Sequence, residues 1–102
     1  GENFTVHGLG EVQIGNKCDI APDVIFLTGS HKIGGADRRA GEGTTNNISI
    51  GDGCWIGARS TFIGPLEVGC SCIVAAGSVV NKLVDNNTMV GGVPAKLIRT
   101  ME

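Results

Sequence analysis

Every sixth residue from Ile50 onward is apolar, and this column runs unbroken to Val80. The fourth residue after each of these positions is apolar or small. A period of six belongs neither to a helix nor to a long alternating strand, and it favours short strands joined by tight turns. We therefore predict that both columns point into a shared interior. They are Ile50, Ile56, Phe62, Val68, Val74 and Val80, and Cys54, Ser60, Leu66, Cys72, Ser78 and Val84.

The same phase is present nearer the amino terminus. Three six-residue units can close one triangular coil, and stacked coils bury a continuous core. The sequence therefore predicts one all-β domain over residues 1–102, with complete coils at 14–31, 50–67 and 68–85. The upstream members of the two columns are Ile14, Ile20 and Phe26, and Cys18, Val24 and Ser30.

Both ends are expected to depart from the repeat. Residues 1–13 are predicted to form an irregular first coil, and residues 86–93 a turn and a last short strand. Pro94 suits the first turn of a helix, so we predict a short C-terminal helix over 94–102 that caps the stack. The apolar residues assigned to the first coil are Phe4, Val6, Leu9 and Val12, and those assigned to one face of the helix are Leu97, Ile98 and Met101.

The six-residue repeat is interrupted between His31 and Asn47. The sixth-place residues there are Lys32, Arg38 and Thr44, none of which suits a core. We predict that about 32–47 form a loop excluded from the coil. Long loops in compact domains are often functional, and this one begins at a histidine.

Composition narrows the function. The net charge of −2 argues against a nucleic-acid or anionic-membrane binder. No apolar run approaches the roughly 18 residues of a membrane span, and no signal sequence is recognisable, so we expect a cytoplasmic protein. Four cysteines lack the paired CxxC spacing of a zinc site, and we expect them to be reduced core fillers. No metal is predicted.

Several motifs occur in the order and spacing of a known family. The chain resembles the hexapeptide-repeat acyltransferases, in particular the galactoside and maltose O-acetyltransferase group and its polysaccharide-modifying relatives. The segment 64–69 also resembles serine acetyltransferase. The segments that carry the resemblance are Ile20-Ala21-Pro22, Thr28-Gly29-Ser30-His31, the run from Ile48 to Ala58, the run from Ala75 to Lys82, and the run from Val90 to Arg99.

This resemblance implies a left-handed parallel β-helix. It also implies a homotrimer with active sites between neighbouring subunits, and acetyl-CoA as the acyl donor to a small-molecule acceptor. The function expected is O-acetylation of a sugar or a similar hydroxyl compound. Members of the galactoside and maltose group carry a larger region before the repeats that helps form the acceptor pocket, so the acceptor itself is not indicated.

Acetyl transfer to a hydroxyl requires a base, and His7 and His31 supply the imidazoles of this chain. His31 occupies the catalytic-histidine position of the family and is the predicted general base. His7 lies outside the phase of the repeat and is expected to be an ordinary surface or core residue.

Further site residues follow from motif position. The resemblance places Ala58 and Ala76 beside the pantetheine arm of coenzyme A, where small residues allow close approach. Cationic side chains near its phosphates are implied at Lys82, Lys96 and Arg99. Trp55 is expected to point outward, towards the coenzyme groove or a subunit interface, and Arg38 to steady the loop or contact the acceptor.

Three alternatives remain open. The chain could be a non-catalytic trimeric scaffold, or an N-acetyltransferase acting on an amino sugar, because the same base serves an amine. A zinc carbonic anhydrase of this fold would need three histidine ligands, and the paired-histidine spacing of that class is missing.

Overall fold

The computed structural model describes residues 4–102, and the regular structure within that range consists of short strands without a helix. Strands of two to six residues match a chain that turns every six residues. In chain order they are β1 Phe4–His7, β2 Val12–Ile14, β3 Asp19–Ile20, β4 Val24–Leu27, β5 Gly29–Ile33, β6 Ala40–Thr45, β7 Ile48–Ile50, β8 Trp55–Ile56, β9 Thr61–Ile63, β10 Leu66–Val68, β11 Ile73–Val74, β12 Val79–Val80, β13 Thr88–Gly91 and β14 Lys96–Thr100.

Twelve of these strands form three walls around one core. Wall A is β1-β4-β9-β12, wall B is β2-β7-β10 and wall C is β3-β8-β11-β13-β14. All pairings within the walls are parallel except that of β13 with β14. The chain passes from wall B to wall C to wall A in each coil, which confirms the predicted parallel β-helix of hexapeptide repeats.

The two predicted columns fill the interior. All twelve of their members from Ile50 to Val84 are buried. Equivalent positions stack in successive coils, so that Phe26 lies beside Phe62 with ring centroids 5.1 Å apart. Burying one such ring contributes roughly 1.5–3 kcal/mol. The repeat therefore specifies the core directly.

The first coil departs from its prediction. Residues 4–7 form strand β1 on wall A, where Phe4 packs edge-on against Phe26 at 5.3 Å. Val12 also packs against the core. Leu9, however, is 93% exposed and Val6 is 41% exposed, so their assignment to the interior is wrong for Leu9 and only partly right for Val6. The chain turns outward after His7, which carries Leu9 away from the core.

The excluded segment is an antiparallel hairpin. Strands β5 and β6 pair only with each other, from Gly29 opposite Thr45 to Ile33 opposite Ala40. The prediction that this segment leaves the coil is confirmed, but the hairpin begins before residue 32. Ser30 therefore lies exposed on β5 rather than in the second column, and Thr28 is the last buried residue of the first coil.

The predicted C-terminal helix is wrong. The chain reverses after Gly91, and β14 returns antiparallel along β13, with Met89 opposite Arg99. Strand β13 is the last parallel strand of wall C, and without β14 its outer edge would leave backbone groups that a helix could not satisfy. The apolar face assigned to the helix is mostly open, since Leu97 is 63% exposed.

The outer surfaces of the three walls differ in polarity. Residues that alternate with the buried columns face outward, and on wall B these are Gln13, Ser49 and Glu67. On wall A they are mostly apolar, and on wall C three consecutive strands also present apolar side chains. These apolar outer residues are Ile25, Leu27, Ile63 and Val79 on wall A, and Trp55, Ile73 and Met89 on wall C.

Candidate active site

The hairpin holds His31 at a fixed position beside the coil. His31 is exposed on β5, and its Nδ1 atom lies 2.9 Å from the carbonyl oxygen of Gly41 on the β6 side of the hairpin. A carbonyl oxygen can only accept, so Nδ1 carries the hydrogen in this contact. In the neutral ring, Nε2 then holds the free lone pair. This is the tautomer that a general base requires.

A buried threonine joins the hairpin to the first strand. The Thr28 nitrogen and hydroxyl both donate to the carbonyl oxygen of His7, at 2.8 and 2.9 Å. The same hydroxyl accepts from the Gly10 nitrogen at 3.1 Å, and the Thr28 carbonyl accepts from the Asn46 nitrogen at 2.7 Å. Thr28, which precedes His31 by three residues, thus fixes both ends of the hairpin and the turn formed by residues 7–10.

A cleft of about 470 Å³ opens at this junction. His7 and His31 both line it, together with Leu9 and Leu27 and with hydroxyl groups of the hairpin. The volume falls in the range typical of small-molecule sites. No role was predicted for His7 from the sequence. His7 lies outside the six-residue repeat, so nothing in the sequence indicated that the turn after it lies against the hairpin.

The predicted coenzyme residues Ala58 and Ala76 lie one above the other. They occupy the corner between walls C and A, and the Gly77 nitrogen donates to the Ala58 carbonyl oxygen at 2.8 Å. The approach is close, since a Cβ on Gly57 would lie 2.5 Å from the Ala76 nitrogen. Glycine is therefore required at position 57 for the two coils to stack at this corner.

The predicted cations collect towards the C-terminal end of the stack. Lys82 and Lys96 line one groove there, which also exposes Leu83 and Leu97. Arg99 lies on β14 opposite Met89, on wall C. Lys82 and Lys96 therefore share a groove, and Lys96 and Arg99 share strand β14.

Trp55 and Arg38 are both at the surface. Trp55 is 60% exposed, as expected for a residue that points away from the core. It lies on wall C between Asp19 and Ile73. Arg38 is exposed at the tip of the hairpin, where its backbone nitrogen bonds the Gly35 carbonyl oxygen. Arg38 is not among the residues that line the cleft.

One chain does not bring all predicted site residues together. His31 and Lys82 both lie where the chain leaves wall A towards wall B. They are two coils apart, which is roughly 10 Å along the axis of the helix. Ala58 and Ala76 occupy the corner between walls C and A, at the other end of wall A. The base and the proposed coenzyme wall thus lie on different edges of the triangular coil.

Three of the four cysteines lie in the core or pack against it. Cys18, Cys54 and Cys72 occupy equivalent places in successive coils, and each thiol donates to a backbone carbonyl oxygen about 3.1 Å away. All four are free, with Cys70 exposed. Burial raises the pKa of the Cys54 thiol from 9.0 to about 11, and the neighbouring thiols add to this effect. Buried thiols of this kind are unreactive.

Within residues 4–102 there is neither a cluster of metal-ligating side chains nor a membrane-spanning helix. No set of three or more histidine, cysteine or acidic side chains is placed to hold a metal ion. No helix with the length and apolar character of a membrane span is present in the same range.

Comparison with known families gives one match within the repeat. Residues 47–82 match the family described as the hexapeptide repeat of succinyl-transferase. Serine acetyltransferase 2 of Arabidopsis thaliana is 41% identical over 94% of this chain and 28% of its own length. Galactoside O-acetyltransferase of Escherichia coli K12 is 32% identical over 95% of this chain and 48% of its own length. The chain thus spans about half of these relatives or less.

A solved structure is similar over nearly the whole chain. It is a hexapeptide-repeat containing acetyltransferase from Vibrio cholerae O1 biovar eltor, complexed with acetyl coenzyme A. It is 34% identical, with a TM-score of 0.89, and the match covers 98% of this chain and 55% of that one. The similarity therefore includes the hairpin and the C-terminal strand as well as the repeats.

Proposed function

We propose that this chain, which is similar to hexapeptide-repeat acetyltransferases over nearly its whole length, transfers an acetyl group from acetyl-CoA to a hydroxyl of a small acceptor, with His31 as the general base. The observation that carries this proposal is the bond from His31 Nδ1 to the Gly41 carbonyl oxygen. It leaves Nε2 free at the edge of a ligand-sized cleft.

The proposed chemistry uses that nitrogen twice. Nε2 takes the proton of the acceptor hydroxyl as its oxygen attacks the thioester carbon. The imidazolium then returns the proton to the leaving thiolate. While the ring is charged, its bond to the Gly41 oxygen becomes charge-assisted and stronger. The hairpin thus both selects the tautomer and stabilises the intermediate form of the base.

A trimer supports the same proposal. His31 and the Ala58–Ala76 corner lie at opposite ends of wall A, so a complete site needs a neighbouring copy. The outer faces of walls A and C are mostly apolar, whereas that of wall B is polar. Packing wall A of one copy near wall C of the next gives a heterologous contact, and such contacts form a ring when the rotation from copy to copy closes, as a trimer requires. That arrangement would place His31 of one subunit beside Ala58, Ala76 and Trp55 of another.

The cationic side chains near the C-terminal end of the stack would bind the coenzyme. Lys82 and Lys96 share a groove at the end of the stack, and with Arg99 they would bind the phosphates of coenzyme A. Arg38, at the hairpin tip, would contact the acceptor or steady the hairpin. We expect the protein to act in the cytoplasm, where acetyl-CoA is available.

The acceptor is a sugar or a similar small hydroxyl compound. The identity to galactoside O-acetyltransferase favours a sugar. The 41% identity to a serine acetyltransferase makes serine a second candidate acceptor. Both reactions use the same base and the same donor, so they differ only in what the cleft binds.

Calorimetric binding of coenzyme A, combined with acetyl-transfer assays and native mass spectrometry, tests the proposal. We expect coenzyme A to bind to a trimer and His31→Ala to bind it equally well without transferring acetyl groups. A wild-type chain that binds no coenzyme A would contradict the enzyme assignment and favour a scaffold. Full transfer by His31→Ala would contradict only the assignment of the base.

A further inference from the structure

Two buried serine side chains lie beneath the corner between walls C and A. Ser60 and Ser78 occupy equivalent places in successive coils, and both are fully buried. The Ser60 hydroxyl lies 2.8 Å from the carbonyl oxygen of Gly57, and the Ser78 hydroxyl lies 2.6 Å from that of Ala75. Each serine therefore donates, from the interior of the coil, to the carbonyl group three residues before it.

These two bonds set the direction of the backbone N–H groups that follow. The peptide bonds after Gly57 and Ala75 are trans, so the N–H of each lies antiparallel to its carbonyl group. Because both carbonyl groups point inward to a buried hydroxyl, the N–H groups of Ala58 and Ala76 point outward. Neither nitrogen donates a hydrogen bond within residues 4–102. The corner thus presents two free donors, roughly 4.8 Å apart along the axis.

The first coil has neither feature at the same corner. Pro22 stands where Ala58 and Ala76 stand in the later coils, and proline has no N–H to donate. The place of the serine is taken there by Val24, which is fully buried. In these three coils, a hydroxyl accompanies the corner only where there is an N–H to orient. The fold itself accepts a β-branched apolar side chain at this position.

Ser60 has the stronger influence of the two serines. Its bond is the only one that the Gly57 carbonyl oxygen accepts within residues 4–102. The Ala75 oxygen, by contrast, also accepts from the Ser78 nitrogen at 3.3 Å and from the Ser60 hydroxyl at 3.2 Å. Without the Ser60 hydroxyl, the Gly57 carbonyl group would lose its partner and gain by turning towards water. That rotation would turn the Ala58 N–H away from its outward direction.

We propose that Ser60 is a positioning residue for coenzyme A. It holds the Ala58 N–H outward so that this group and the Ala76 N–H bind the two amide carbonyl groups of the pantetheine arm. This inference rests on the proposed use of acetyl-CoA as the donor. The carbonyl carbons of those two amides are four bonds apart, which is roughly 5 Å in an extended arm. That separation matches the rise from one coil to the next.

Calorimetric titrations of the whole protein with two ligands test this role. Coenzyme A contains the arm, whereas adenosine 3′,5′-bisphosphate contains its nucleoside and two phosphates without the arm. We expect Ser60→Ala to raise the Kd of coenzyme A about three- to tenfold, the effect of one lost hydrogen bond. The Kd of adenosine 3′,5′-bisphosphate should change less than about twofold, because a loss confined to the arm leaves the nucleotide contacts intact.

A pair of variants with the same shape isolates the hydroxyl. Ser60→Thr and Ser60→Val differ only in a hydroxyl against a methyl group, and Val24 shows that this shape fits the equivalent place. Ser60→Thr should bind coenzyme A at least about threefold more tightly than Ser60→Val. Equal Kd values for the two variants would overturn the proposal, since any strain from the larger side chain is common to both.

Cys54→Ala is the matched control for Ser60→Ala. Cys54 is buried in the same coil and its thiol also donates to a backbone carbonyl oxygen, but at the corner between walls B and C. Its removal should leave the Kd of coenzyme A within about twofold of the wild-type value. Equal losses of coenzyme A affinity in the two variants, or a Ser60→Ala protein that binds both ligands as the wild type does, would contradict the positioning role.

Turnover separates this role from the proposed reaction. In acetyl transfer, Ser60→Ala should raise the KM for acetyl-CoA with kcat nearly unchanged, the signature of lost ground-state binding. If the binding differences at Ser60 are found but no acetyl group reaches methyl β-D-galactopyranoside or L-serine, the proposed reaction fails and the role of Ser60 stands. A wild-type protein that binds no coenzyme A would overturn both.

Discussion

The Nδ1 atom of His31 and the carbonyl oxygen of Gly41 lie 2.9 Å apart across the β5–β6 hairpin. The two residues are ten apart in the chain, and no local pattern links them. Their contact converts an exposed histidine into an oriented one, because it fixes the ring and decides which nitrogen carries the proton. The consequences can be measured.

Replacing His31 by Asn separates orientation from catalysis. The Asn amide can still donate to the Gly41 oxygen but cannot accept a proton at neutral pH. We expect kcat for acetyl transfer to fall by about 10²–10⁴-fold, the usual contribution of a general base, with little change in Tm. Retention of more than a tenth of the wild-type kcat would rule out His31 as the base.

Substitution of Gly41 tests the hairpin itself. A Cβ at this position would lie 2.8 Å from the Lys32 carbonyl oxygen, so Gly41→Ala must displace one strand. We expect a reduced kcat with nearly unchanged thermal unfolding of the coils, since the hairpin lies outside them. Gly35→Ala is the matched control, because its Cβ would meet only an exposed Asp37 oxygen, at 3.1 Å. Equal kinetic effects of the two variants would contradict the special place of Gly41.

The Thr28 hydroxyl should contribute to stability. Thr28→Val keeps the shape of the side chain but leaves the Gly10 nitrogen without its partner. We expect the free energy of unfolding to fall by about 1–3 kcal/mol, the cost of unsatisfied buried groups. Urea denaturation measures this, with the exposed Thr5→Val on the same wall as the control. A Thr28→Val protein as stable as Thr5→Val would show that the junction is not held by this hydroxyl.

The cysteine column predicts a dependence of stability on alkaline pH. The Cys54 pKa is about 11 in the folded chain against 9.0 for an unperturbed thiol. Above pH 9 the unfolded thiol ionises while the folded one stays neutral, so stability is full below pH 9 and falls as the pH rises towards 11. Cys54→Ala should flatten this part of the curve. Identical pH profiles for the two proteins would contradict the effect.

Thiol labelling at pH 8 gives a second test of the same column. Cys70 is exposed and should react in the native protein, whereas Cys54 and Cys72 are buried. They should react only after denaturation. Mass spectrometry of peptides from native and urea-treated protein identifies the labelled residues. Rapid native labelling of Cys54 would mean that the coils open readily.

The core residues were predictable because the six-residue repeat identifies them from local sequence alone. Each inward residue is followed six positions later by its equivalent in the next unit, and stacking these units requires no information from distant parts of the chain. The prediction of Phe62 and Val74 as core residues, of Trp55 as an outward one and of a break after the first coil therefore follows from the residues themselves. His31 was found because it stands at that break and matches a family motif.

The features that the sequence did not reveal depend on non-local pairing. The segment 29–45, rich in glycine and charge, has no apolar alternation, and only its pairing across the hairpin makes it two strands. Residues 96–100 have an apolar pattern that also suits a helix, but the open edge of β13 decides for a strand. His7 and Leu9 face His31 only because Thr28 joins three segments distant in sequence. The sequence alone thus determined the coils, whereas the tertiary structure decided the cleft, since its walls come from segments that meet only after the coils have stacked.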